Sequence, residues 1–95
     1  MVAVVKIEFD AAKDRANRRK HGVGLAMAAA IFETPYVEVP DDRFEYGEER
    51  SIAYGLIAGK VFTCVHTIRG DAYRIISLRK ATRAETDAYH KAVGR

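Results

Sequence analysis

The sequence predicts an α+β domain: an antiparallel sheet with two N-terminal helices and one C-terminal helix, in the order β-α-α-β-β-β-β-α. Three observations point there. A Val-rich opening segment runs straight into a capped, highly charged stretch. Residues 50–78 carry strand-type patterning broken by two tight turns. Thr82 and Glu85 then supply the S/T-x-x-E box that opens a helix.

Residues 2–9 read as a strand, with Lys6 and Glu8 alternating against Val5, Ile7 and Phe9. Asp10 is a good N-cap for a helix over residues 11–21, and Gly22 is its stop. A second helix is expected over residues 25–33, ended by Pro35, with Leu25, Ala28, Ala29 and Phe32 on one face. Residues 36–39 form a short strand and 40–49 a polar loop. Residues 50–57 and 60–68 are strands joined at Ala58-Gly59, a tight hairpin signal. Arg69-Gly70-Asp71 turns the chain into a last strand, 73–78, and the final helix follows Thr82. Strict alternation in that last strand sets Arg74, Ile76 and Leu78 against Ile75, Ser77 and Arg79. Arg74 and Arg79 then face apart unless the strand ends or twists between them.

A length of 95 residues allows one domain, and 48% hydrophobic with 31% charged residues is a globular composition. The longest apolar run, residues 25–32, falls far short of the roughly 20 residues of a membrane span. No charged-then-apolar leader opens the chain, so a soluble, cytoplasmic single domain is expected. The lone Cys64 excludes an internal disulfide and a Cys-based zinc site. Neither phosphate-binding glycine motif is present, and His21, His66 and His90 lack zinc spacing, so no cofactor and no metal are expected. Ser51 and Ser77 lie inside expected strands without a glycine elbow, which argues against a serine nucleophile.

Charge is segregated along the chain. Residues 13–20 sum to +4, residues 33–49 to −6, and residues 69–95 to +4. Basic segments that meet in space suit a polyanion; kept apart, they are merely solvated faces. The C-terminal segment favours Arg over Lys, and Arg grips phosphate with two prongs. Arg79, Lys80, Arg83 and the amides opening the last helix resemble an anion site. Equally, Arg83 can simply pair with Asp87 one turn on.

Basic groups without a metal can support RNA cleavage by the adjacent 2′-hydroxyl, stabilising charge on the phosphorane. Tyr89, His66 and His90 are the proton-transfer candidates at hand. Each has a plainer reading: Tyr89 as core, His66 as a sheet residue. His21 is well placed as a cation at a helix C-terminus.

Phe9-Asp10-Ala11-Ala12-Lys13, Asn17 and Lys20-His21-Gly22-Val23 resemble the opening of the BrnT toxin family. Pro40-Asp41-Asp42-Arg43, Gly47-Glu48-Glu49-Arg50 and Gly55 look like its central segment. The run from Arg74 to Thr82, followed by Glu85 and Tyr89, is similar to its C-terminal signature. Phe9 stands where Trp is common, and Leu78 beside Arg79 where a small residue is usual. The resemblance implies a RelE-like ribonuclease that arrests growth. It implies a BrnA-type ribbon-helix-helix antitoxin, and contact with promoter DNA only through the complex. It points to Arg69, Arg79 and Arg83 as phosphate and transition-state groups, Tyr89 for proton transfer, and Lys13, Lys20, His21 and Arg74 along the RNA. The rival is a non-catalytic basic module that binds an acidic protein or DNA.

Overall fold

The computed structural model describes residues 5–94. Its elements are β1 (Ile7–Phe9), α1 (Ala11–His21), a 3-10 turn (Leu25–Ala28) running into α2 (Ala29–Phe32), β2 (Val37–Pro40), β3 (Ser51–Ile57), β4 (Lys60–Arg69), β5 (Ala72–Lys80) and α3 (Arg83–Ala92). The strands form one mixed sheet in the order β1-β5-β4-β3-β2. Four of them are antiparallel neighbours, but β1 runs parallel to β5, from Ile7↔Tyr73 to Phe9↔Ile75. The expected all-antiparallel sheet is corrected on this point. Alternation marks a strand without naming its neighbour, and the meander brings β5 back beside β1 in the same direction. Residues 2–4 of the expected first strand lie outside the described residues.

The expected second helix is also altered. Gly24 has no side chain to cap it, so the segment starts as a 3-10 turn. Its first amide is satisfied from α1 instead: Leu25 N–H donates to Asp14 Oδ1 at 2.7 Å. The three-residue period of that turn stacks Leu25 over Ala28, both fully buried. With Ile31 and Phe32 they pack on one face of the sheet against Ala53, Phe62, Cys64, Ile75 and Leu78. Gly55 in β3 is required by this packing, because a Cβ there would sit 2.8 Å from Ile31 Cγ2. The β3–β4 hairpin turns on Ala58 (φ 51°) and Gly59 (φ 80°), the two left-handed residues that match strand twist.

Two details of β5 position everything that follows. The first is a bulge. Val65 pairs with Ser77 while His66 pairs with Ile75, leaving Ile76 unopposed. The inserted residue resets the alternation, so Ile75 and Leu78 both enter the core, while Arg74, Ser77 and Arg79 share the other face. The second is Asn17. Among the described residues no strand covers the outer edge of β5 beyond Phe9, and Leu78 points its backbone groups there. Asn17 Nδ2 donates to Leu78 O at 2.7 Å and to Val23 O at 3.0 Å, and Leu78 N–H donates to Asn17 Oδ1 at 3.0 Å. One buried amide thus completes the ladder and fixes α1 along β5. Among the described residues no helix is long and apolar enough to cross a membrane.

Candidate active site

The sheet face away from this core carries a polar rung. Arg79 on β5 stands beside Thr63 on β4, Thr63 beside Tyr54 on β3, and Tyr54 beside Val37 on β2. Helix α3 closes over the rung. Its Glu85 takes a two-pronged grip from Arg79, Nη1 to Oε1 and Nη2 to Oε2, both at 2.9 Å. The same carboxylate accepts from Thr82 N–H at 2.8 Å, completing the capping box, and from Thr63 Oγ1 at 3.3 Å. The Arg79 hydrogen bonds lead these contacts in holding the Glu85 carboxyl down to about 2. Arg79 is held charged in turn. Three of its five N–H donors are engaged, two by Glu85 and one by Lys80 O. The donors on Nε and the outer Nη2 are left for a second oxyanion.

Arg79, Glu85, Thr63 and Tyr54 line a pocket of about 290 Å³ with Ser77 and Arg43. Arg43 comes from the loop between β2 and β3. Its Nε and Nη2 donate to Asp41 Oδ1 and Oδ2 at 2.7 and 2.9 Å. The Asp41 side chain is wholly buried, accepts also from the Tyr46 hydroxyl at 3.2 Å, and is held down to about 2, chiefly by Arg43. Burial, then the charge of Glu85, pushes the Tyr54 phenol above its ordinary range, so it stands in the pocket as a protonated donor. An apolar groove between α3 and β2, lined by Val37, Val39, Ala84 and Ala88, adjoins the pocket and shares Tyr54 and Glu85 with it.

The basic end of α1 reaches the same edge. Burial, then the charges of Lys20 and Arg79, lowers the pKa of His21. Lys13 lies exposed on the first turn of α1. Arg74 shares the face of Arg79 through the bulge and is paired with Glu8 at 2.9 Å.

The other residues singled out from sequence stand elsewhere. Arg69 ends β4 six residues from Thr63, about 20 Å away at strand rise, in a separate recess with Glu48, Glu49 and Thr67. The Arg83 side chain is 95% exposed, with Asp87 at 3.9 Å. The Tyr89 ring is buried and its hydroxyl donates to Pro35 O at 3.4 Å. His66 is buried on the core side, Nε2 at 3.0 Å from Glu38 Oε1, and His90 rests edge-on against Tyr89. Leu78 points into the core, away from Arg79, and does not narrow the pocket.

Sequence reasoning passed over Arg43, Tyr54, Thr63 and the second role of Glu85. The hairpin contained part of that signal: a two-residue turn at Ala58-Gly59 pairs Ile57 with Lys60, and hence Tyr54 with Thr63. Nothing in the sequence tied Arg43 to Arg79. Chemically, the pocket offers guanidinium donors held by carboxylates, with hydroxyls between them: a receptor for an oxyanion. Among the described residues no three His, Cys, Asp or Glu side chains converge as metal ligands.

Comparison with curated proteins finds no match. The family model described as "Ribonuclease toxin, BrnT, of type II toxin-antitoxin system" matches residues 9–85, from the last residue of β1 to the first turn of α3. That span contains the pocket, its two arginines and both carboxylates that hold them, and the chain belongs to the BrnT family of ribonuclease toxins of type II toxin–antitoxin systems.

Proposed function

We propose that the chain is a RelE-like, metal-independent endoribonuclease that arrests growth by cutting RNA in the cytoplasm. The observation that carries the reading is Arg79, oriented by Glu85 at the mouth of a hydroxyl-lined pocket with two donors unspent. The 2′-oxygen of one nucleotide attacks the adjacent phosphorus, its proton leaves to a base, and the bond to the 5′-oxygen breaks as that oxygen takes up a proton. Products are a 2′,3′-cyclic phosphate and a 5′-hydroxyl. Negative charge grows on the non-bridging oxygens in the transition state, and a donor aimed there in advance lowers the barrier without reorganising. Lys20 extends the positive surface along α1 for the flanking strand, with His21 beside it as a largely neutral hydrogen-bonding group. A BrnA-type ribbon-helix-helix antitoxin neutralises the toxin by covering this surface, and the complex reaches promoter DNA through the antitoxin.

The purified, partner-free chain should cut RNA in EDTA. Arg79→Ala should slow cleavage by about 10²–10³-fold, the scale of one lost preorganised donor. Arg79→Lys should not restore it, because a single ammonium replaces a two-pronged contact. Lys20→Ala should mainly weaken binding and flatten its salt dependence by about one unit of slope. A folded Arg79→Ala protein that cuts at the parent rate, or a parent that needs a divalent ion, would end this reading.

A further inference from the structure

Arg43 is the one cation in a segment of residues 33–49 that otherwise sums against RNA. Its surroundings are unusually well built for a loop. Asp41 N–H donates to Arg50 O at 2.8 Å, closing the base of the loop. The Arg50 guanidinium lies 4.0 Å over the Tyr46 ring and donates to Glu48 at 3.0 Å. Tyr46 in turn donates to Asp41. These contacts converge on a buried carboxylate whose side-chain partners are Tyr46 and Arg43. The side-on grip by Asp41 braces the loop and in the same contact fixes the plane of the Arg43 guanidinium. That grip takes Nε and Nη2 and leaves Nη1 out of it, and Arg43 lines the pocket together with Arg79. The two guanidinium groups feel each other's charge. An anion between them removes that repulsion.

Resting on the ribonuclease reading of the same pocket, we propose that Arg43 is the second arm of the phosphate grip. Arg43 and Arg79 together clamp one phosphodiester of a single RNA strand in the pocket they share, with the Tyr54 hydroxyl as a third donor. Asp41 is the positioning residue of the Arg43 arm, as Glu85 is of the Arg79 arm. The acidic loop is then part of the site, with its charge absorbed where it touches the pocket.

The test uses the full chain and two RNA probes: a cleavable strand, and the same strand with 2′-O-methyl groups, which binds but cannot be cut. Arg43→Ala leaves Asp41 buried without its cation and can loosen the loop, so Asp41→Asn/Arg43→Ala is made beside it, with thermal unfolding of each. The expected result is a parent that cuts, and a double variant that is folded yet 10²–10³-fold lower in kcat/KM. Its affinity for the 2′-O-methyl strand should fall with a salt slope shallower by about one. Arg43→Lys should recover the slope but not the rate. A double variant that cuts at the parent rate, or with an unchanged slope, makes Arg43 a loop brace and overturns the proposal while leaving the ribonuclease reading intact. A parent that cuts no RNA removes both.

Discussion

At the scale of single residues, the groups that aim the two arginines also decide how the molecule meets acid. Asp41 and Glu85 sit near 2 in the folded chain, below their ordinary 3.8 and 4.5. Their contribution to stability is therefore complete above about pH 5 and drains away as pH falls toward 2. His66 acts earlier. Burial lowers its pKa below 6.5, and the pull of Glu38 in the other direction is the smaller effect. The unfolded chain takes up that proton first, so acidification below about 6.5 favours unfolding. His21 has the same sign but is exposed and weighs less. The melting temperature should be flat between about pH 7 and 8, decline gently below about 6.5, and fall steeply below about 4.5; above about pH 9 it should fall again as the unfolded chain ionises the thiol that burial keeps protonated. His66→Gln should remove most of the gentle phase, and a variant that keeps it would assign that phase elsewhere. Sequence could flag His66 and its plainer reading as a sheet residue, but not Glu38, which lies one strand beyond β3. Cys64 is buried, with its thiol pushed up to about 12, and is expected to be inert while the fold holds.

Among the elements, those with local instructions were legible and those with remote ones were not. Helix α1 has the bounds its cap and stop residues predict, from the Asp10 side chain accepting Lys13 N–H to Gly22 at φ 76°. The α3 capping box closes both ways. The 3-10 start of the second helical segment depends on Asp14, eleven residues earlier, which no local pattern announces. The Ile76 bulge is subtler still. Period-two reasoning is sound up to Ile75 and sound again from Ser77, yet its sum across the bulge is wrong, and that error set Arg74 and Arg79 on opposite faces. The joint between α1 and β5 is the best place to test an element. Asn17→Ala strands a buried N–H and a buried C=O of Leu78 together with Val23 O. A loss of roughly 3 kcal/mol is expected in urea titration at unchanged slope. A loss below about 1 kcal/mol would mean that water replaces the amide at that edge.

For the whole molecule, the segment charges read from sequence describe the surface only in part. Fixing α1 against β5 does bring one basic segment alongside the strand that carries Arg79. Arg69 stays at the far end of β4, and some of the acidic segment is spent internally on Arg43 and Arg50. Which charges are neutralised is a matter of register and loop closure, and neither is a property of composition. Glu85 is where the separate structures become one system. It is the carboxylate of the α3 capping box and also the partner of Arg79. On the proposed role of Arg79, a phosphate that draws on its guanidinium changes what Glu85 offers to the start of the helix, which would link RNA affinity to the opening of α3. Linkage is reciprocal: whatever factor RNA imposes on the helix start, a change at the helix start must impose on RNA affinity. Hydrogen exchange at the Glu85 and Thr86 amides, which bond to Thr82 Oγ1 and O, should therefore shift when the 2′-O-methyl strand is added. Equal exchange with and without it would show the two halves of Glu85's work to be independent. If they are coupled, the toxin carries its substrate sensor in the first turn of its last helix, and a partner able to hold that turn can set RNA affinity without touching a phosphate-binding atom.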